Sequence, residues 1–224
     1  MKYFTRTFAW MAVGTIAFLA QGHPGFRLDP TDDFSFLLDR SEAAPVNLSI
    51  MPSAEIEKIL ADHLDLFPRS KVPALARHLQ DLCARYQFDP AFILSVMQVE
   101  SGFRVKITSP AGAIGLMQLM PATAEHIANK QKLPFKGARS LHDPFTNLTL
   151  GVAYLAYLRD KYRGDSPYFP IAAYNLGPAK LNQLRAQKGF QPSSTKRYYE
   201  KIRAGVPKLR FYRAALQERG IAGV

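Results

Sequence analysis

The chain has 224 residues, of which 47% are hydrophobic and 21% are charged, so its composition excludes a disordered protein and allows one sizeable core. The formal net charge of +11 favours an anionic partner. We expect no nucleic acid as partner, because the basic residues are scattered and no nucleic-acid-binding motif is present. Five scattered histidines and one cysteine give no zinc-binding pattern, so we also expect no metal and no cofactor.

The first 22 residues have the pattern of a secretory signal peptide. Lys2 and Arg6 precede an apolar run over residues 8–20, which is too short to span a bilayer as a mature helix. An uncleaved N-terminal anchor is the alternative. The only cysteine, Cys83, falls inside a helical pattern, which argues against a disulfide framework and against a lipid-bearing cysteine at the cleavage point. We expect a periplasmic or secreted monomer with no stable membrane anchor after cleavage.

Residues 23–70 are predicted to be an N-terminal extension that ends in a covering helix. No sustained periodicity is present before residue 53, whereas apolar residues recur at helical spacing from 53 to 67. A second helix is predicted from Val72 to Tyr86. It opens the main domain, for which we expect residues 71–214, followed by a C-terminal tail over 215–224.

The next predicted helix carries the most informative acidic residue of the chain. Asp89 supplies an N-cap, Pro90 the first turn and Gly102 the C-terminal stop, which places Glu100 in the last turn. The helix is apolar on nearly all sides, so we expect it to be buried. Apolar surroundings and the negative end of the helix dipole both favour the neutral acid, and a raised pKa would suit Glu100 to act as a general acid.

The remainder of the chain is predicted to be helical after one irregular segment. Residues 103–120 are rich in Ser, Pro and Gly and are expected to form a loop or a small hairpin. Proline-initiated helices are predicted over 121–129 and 144–162, and further helices around 167–175, 178–187 and 194–217. The predicted fold class is mostly α, with at most a small β-hairpin.

Three segments resemble the motifs of the soluble lytic transglycosylases, in the same order along the chain. Glu100-Ser101 with Phe103 is similar to the Glu-Ser-x-Phe motif, and Ser109, Gly112 and Ala113 fit the positions that follow. Residues 115–121, Gly-Leu-Met-Gln-Leu-Met-Pro, resemble the second motif, and residues 173–178, Ala-Tyr-Asn-Leu-Gly-Pro, resemble the third. The resemblance covers roughly residues 72–212 and implies the lysozyme-like domain that these enzymes share with goose-type lysozymes.

The chain departs from the family pattern at three places. Leu176 stands where Ala is usual, and residues 104–107 read Arg-Val-Lys-Ile where the family usually has Asn-Pro-x-Ala. In the fourth motif, normally Glu-Thr-x-x-Tyr, Ser194 replaces the Glu while Tyr198 is kept. The altered loop at 104–107 suggests tolerance of an unusual glycan, such as a de-N-acetylated one.

The resemblance implies that Glu100 is the catalytic residue and assigns substrate-binding roles to seven others. These are Ser109, Met117, Gln118, Met120, Tyr174, Asn175 and Tyr198. Simpler roles remain open for them: Ser109 and Gln118 would cap turns, the two methionines would be core residues, Tyr174 and Asn175 would form a hydrogen-bonded helix end, and Tyr199 would point inward in place of Tyr198.

The predicted chemistry relies on one carboxylate. Between Ser101 and His142 the sequence contains a single acid, Glu125, which lies in a separate predicted helix. A lone acid can cleave a β-1,4 glycosidic bond when the 2-acetamido group of the sugar assists. The resemblance implies that Glu100 then acts as a base and closes a 1,6-anhydro ring on peptidoglycan strands. Hydrolysis by a true muramidase and a non-catalytic wall-binding module are the alternatives.

Overall fold

A computed structural model describes residues 51–166, 168–187 and 193–212. The expected signal peptide at 1–22, residues 23–50 of the expected extension, the end of the expected main domain at 213–214 and the expected tail at 215–224 lie outside the described residues. Among the described residues, no helix combines the length and the apolar character needed to cross a bilayer.

The described residues form eight α-helices, close to the positions expected from the sequence, and the mostly α fold class is confirmed. The helices are α1 (Ser53–His63), α2 (Val72–Tyr86), α3 (Pro90–Ser101), α4 (Pro121–Gln131), α5 (Pro144–Lys161), α6 (Tyr168–Leu176), α7 (Pro178–Arg185) and α8 (Ser193–Arg210). Short 3-10 turns lie at Arg69–Lys71 and Ala138–His142.

Helix α1 ends earlier than its apolar pattern suggested. The chain turns to an extended conformation at Leu64, which has ψ of 126°, so the apolar residues that follow belong to a connection and not to the helix. The buried face of α1, formed by Ile56, Ile59 and Leu60, joins the same core as α2 and α3.

Helix α3 lies in the centre of the core and is capped as the sequence predicted. The Asp89 side chain accepts a hydrogen bond from the Ala91 N–H at 2.8 Å, and Gly102 ends the helix in the left-handed region at φ 58°. The expectation of burial on nearly all sides is wrong for the last turn. There Gln98 is exposed and Val99 and Glu100 are partly exposed.

Helix α8 runs antiparallel to α3 and contacts it along its whole length. Arg210 binds Asp89 at the start of α3, and the Ser95 hydroxyl donates to the Ile202 carbonyl at 2.7 Å in the middle. The helices approach closely at Gly205, where an added Cβ would lie 2.2 Å from Ser95 Oγ. The last turn of α3 and the first turns of α8 therefore meet.

The segment between α3 and α4 is irregular and is fixed by contacts with other elements. Two isolated antiparallel bridges, Thr108 with Ile114 and Ile114 with Leu119, take the place of a full hairpin. The Asp65 side chain, just after α1, accepts from the Val105 N–H at 2.9 Å. The connection after α1 thus holds the loop that follows Glu100 through the contact between Asp65 and Val105.

Candidate active site

Glu100 occupies the last turn of α3, where the helix leaves the core. Its carboxyl group is packed among neighbours while the residue keeps some exposed surface. Burial raises the pKa of Glu100 to about 7, and a hydrogen bond from Tyr198 opposes this increase. The pKa increase expected from the sequence is thus present, and near neutral pH the group can both give and accept a proton.

Tyr198 is the tyrosine of α8 that reaches Glu100. Its hydroxyl donates a hydrogen bond to Glu100 Oε1. The neighbouring Tyr199 is buried in the core instead, with its ring centre 5.6 Å from that of Tyr168. The two tyrosines thus lie on different faces of α8, and Tyr198 is the one that contacts Glu100.

Tyr174 approaches the site from α6. Its hydroxyl donates to the Met117 carbonyl at 2.7 Å, and its ring centre lies 5.3 Å from that of Tyr154. Burial, followed by the charge of Glu100, raises the pKa values of Tyr174 and Tyr198 well above their ordinary value, so both phenols stay neutral. Helices α3, α6 and α8 thus place two phenols near one carboxyl group.

Asn147 is a structural residue of the site region that the sequence reasoning missed. It is fully buried in α5, and its side chain accepts from the Met117 N–H at 2.8 Å and donates to the Ile114 and Leu141 carbonyls. Asn147 therefore holds the N–H of Met117, while Tyr174 holds the carbonyl of the same residue, so the peptide units on both sides of Met117 are fixed. The sequence did hold a signal for this role: Asn147 lies among the apolar residues of the helix predicted over 144–162. A buried amide needs hydrogen-bond partners, so such a position indicates a structural contact.

Ser109 and Gln118 close turns in the irregular segment. Ser109 Oγ accepts from the Ala113 N–H at 3.0 Å, and Gln118 Nε2 donates to the Gly115 carbonyl at 2.9 Å. Gln118 has φ of 46°, a left-handed conformation that this hydrogen bond supports. Both side chains are partly exposed, and their described hydrogen bonds correspond to the simpler, turn-capping role.

The remaining predicted site residues occupy different environments. Met117 has no exposed surface and its side chain packs close to Gly151, so it is a core residue. Only its backbone N–H and carbonyl contact the side chains of Asn147 and Tyr174. Met120 is 42% exposed, just before α4. Asn175 is partly exposed in α6, directly after Tyr174.

The serine next to Glu100 has a structural role. Ser101 is buried, and its hydroxyl donates to the Met97 carbonyl at 3.0 Å, one turn earlier in the same helix. This contact ties the Ser101 hydroxyl to the backbone of its own helix. The arrangement at the end of α3 instead suits proton transfer by the neighbouring carboxyl group, which has a pKa matched to neutral pH.

Comparisons with known proteins agree with the three motifs. A family model described as the transglycosylase SLT domain matches residues 79–196. The soluble lytic murein transglycosylase of Salmonella typhimurium is 36% identical over 106 residues, which are 45% of this chain and 16% of that protein. The membrane-bound lytic murein transglycosylase C of Haemophilus influenzae (strain PittGG) is 35% identical over 170 residues, covering 63% of this chain and 46% of that protein.

A solved structure gives the same result for the fold. The 70 kDa soluble lytic transglycosylase of Escherichia coli matches with a TM-score of 0.51 and 26% identity, over 72% of this chain and 30% of that one. The chain thus spans less than half of the length of each of these proteins. The family match covers more than half of the chain, and the helical fold is the lysozyme-like one expected from the motifs. The chain therefore belongs to the transglycosylase SLT domain family.

Proposed function

We propose that this protein is a peptidoglycan lytic transglycosylase that cleaves the β-1,4 linkage between N-acetylmuramic acid and N-acetylglucosamine. The observation that carries the proposal is the Glu100 carboxyl group, whose pKa is about 7 and which receives a hydrogen bond from Tyr198. Such a group is protonated often enough to act as an acid at neutral pH, and it becomes an effective base once the proton has been given up.

The first step is protonation of the leaving oxygen by Glu100. The bond between C1 of the muramic acid and that oxygen breaks, and its electron pair stays with the oxygen. The carbonyl oxygen of the 2-acetamido group of the muramic acid binds C1 and stabilises the positive charge, which replaces the second carboxylate of ordinary glycosidases. The neutral phenols of Tyr174 and Tyr198 border the carboxyl group during this change of charge.

In the second step Glu100 acts as a base. Its carboxylate takes the proton of the C6 hydroxyl, O6 binds C1, and the acetamido oxygen leaves. A 1,6-anhydro ring forms, Glu100 is protonated again and no water is consumed. We further propose that the predicted signal peptide exports the protein to the compartment of its substrate, the peptidoglycan glycan strands, where it acts as a monomer without a stable membrane anchor.

The test compares the purified protein with Glu100→Gln on isolated sacculi, followed by mass spectrometry of the released glycans. We expect products that carry anhydro ends, which lack one water, and a loss of release of at least a hundredfold in the variant. Glu125→Gln is the matched control, because Glu125 is exposed on α4, and it should leave the rate unchanged.

Each alternative predicts a different result in this experiment. Hydrated reducing ends would identify a hydrolytic muramidase. Release that is absent from the wild type while the protein still sediments with sacculi would identify a wall-binding module. Unchanged release by Glu100→Gln would overturn the assignment of Glu100. A separate comparison of turnover on acetylated and deacetylated sacculi tests the suggested tolerance of de-N-acetylated glycan, and equal or exclusive activity on the acetylated form would remove it.

A further inference from the structure

Three basic residues form a stripe on the exposed face of α8. Arg197, Lys201 and Lys208 are all exposed, and Ala204 lies between the last two. With 3.6 residues per turn, these three positions point within about 40° of one another around the helix axis. We call Arg197, Lys201 and Lys208 the cationic stripe.

The charge of the cationic stripe is not compensated by acids of the same helix. Helix α8 contains one acid, Glu200, and this residue pairs with Lys196 at 3.7 Å. Arg210, at the end of α8, is bound to Asp89. Within residues 51–166, 168–187 and 193–212, no ion pair involves a residue of the stripe. Three positive charges on α8 therefore face solvent.

The stripe begins beside the candidate active site. Arg197 directly precedes Tyr198, whose hydroxyl binds Glu100. From there the stripe follows α8 for eleven residues, about 16 Å at 1.5 Å per residue. Because α8 is antiparallel to α3, the stripe leads away from Glu100 toward the end of α8 that holds Asp89. A polymer cleaved at Glu100 would thus have flanking groups within reach of these charges.

We propose that the cationic stripe binds the carboxylates of the peptide stems that the glycan strand carries beside the cleavage site. This inference rests on the proposed function and adds to it a second recognition element, for the peptide part of the substrate. Peptide stems project from the strand at regular intervals and are acidic, so a row of cations that begins beside Tyr198 complements them. Exposed ion pairs are individually weak, so the stripe acts as a set and its effect is sensitive to salt.

The test uses a triple variant, Arg197→Gln with Lys201→Gln and Lys208→Gln, and two substrates. One is a preparation of glycan strands with their peptide stems, and the other is the same preparation after the stem carboxylates have been converted to uncharged amides. At low salt we expect kcat/KM on the first substrate to fall by about five- to tenfold, mainly through KM, and no change on the second. The loss should shrink at 0.5 M salt.

A matched control removes the same charges elsewhere. Lys132, Lys136 and Arg139 are exposed in and near the connection after α4, and their triple glutamine variant should behave like the wild type on both substrates. Sedimentation of each triple variant in the Glu100→Gln background measures binding without turnover. There, only loss of the stripe should weaken binding to peptide-bearing strands.

The outcomes separate the stripe from the proposed function. An equal loss on both substrates, or no loss in turnover or sedimentation, would overturn the role of the stripe. So would binding to vesicles of anionic lipid that depends on the stripe while peptide-bearing strands bind unchanged. A wild type that binds strands through the stripe but releases no product would contradict the proposed function and leave the stripe assignment standing.

Discussion

The hydroxyl of Tyr198 donates a hydrogen bond to the carboxyl group of Glu100, across the contact between the first turns of α8 and the last turn of α3. This contact has two opposing consequences. The residues that bury Glu100 raise its pKa, whereas the Tyr198 hydroxyl stabilises the ionised form and lowers it. The protonation state of the site is therefore set by a balance between packing and one hydrogen bond.

Replacing Tyr198 by Phe should raise the pKa of Glu100 further, because the stabilising hydrogen bond to the carboxylate is removed. An acid is active in its protonated form, so the decline of kcat/KM with rising pH should move to higher pH. We also expect the maximal rate to fall by roughly tenfold, since the carboxyl group loses a positioning contact. The pH profile of glycan release measures both effects. Tyr199→Phe is the control, and a profile that shifts equally in both variants would contradict this role of Tyr198.

Glu100→Gln should make stability less sensitive to pH. The unfolded chain ionises Glu100 near pH 4.5, while the folded chain keeps the proton until about pH 7. The wild type therefore loses stability as pH rises through this interval, by up to about 1.4 kcal/mol per pH unit, and the variant lacks this loss. Urea denaturation at pH 4.5 and pH 7.5 measures the difference between the two proteins. Parallel pH dependences would show that Glu100 is not buried as described.

Gly115→Ala should destabilise the fold by about 3 kcal/mol or more. Gly115 has φ of 77°, and an added Cβ would lie 2.4 Å from Asn147 Nδ2 and 2.5 Å from the Leu141 carbonyl oxygen. Gly112→Ala is a close control, because φ there is 89° but no atom lies within 4 Å of the added Cβ. The control should cost about 1 kcal/mol from backbone conformation. Equal losses in chemical denaturation would exclude the clash with Asn147 as the cause.

Arg210→Met should destabilise the protein by about 2 kcal/mol or more, because it leaves the carboxylate of Asp89 buried without its cation. Adding Asp89→Asn should restore much of this loss, since asparagine also caps helices and carries no charge. The free energies of unfolding of the two single variants and the double variant give the coupling between the residues. Additive losses would show that the ion pair contributes nothing.

Features that depend on residues adjacent in the sequence were predicted correctly, whereas features that depend on contacts between distant segments of the chain were missed. The caps of α3 are local, and both Asp89 and Gly102 were identified correctly. The first helix was predicted to extend to residue 67 but ends at His63, because apolar spacing cannot distinguish a helix from a connection that packs on the same core.

The site shows the same division. Glu100 was predicted to be the acid from its position in an apolar helix and from its motif, and its pKa increase follows from burial. The roles of Asn147 and Arg210 depend on partners 30 and 121 residues away, at Met117 and Asp89, which no local pattern indicates. Met117 was ambiguous for a related reason: its motif position was evident, but only the fold places its side chain next to Gly151.

The antiparallel pairing of α8 with α3 has a practical consequence for anyone dissecting this protein. The family match ends at residue 196, two positions before Tyr198, and begins after α1. An expression fragment trimmed to that match would retain Glu100 but would lack the hydroxyl bound to it, the Ile202 carbonyl that receives Ser95, and the Asp65 side chain that binds Val105. The smallest piece of the molecule that keeps these contacts is therefore wider on both sides than the segment by which its family is recognised.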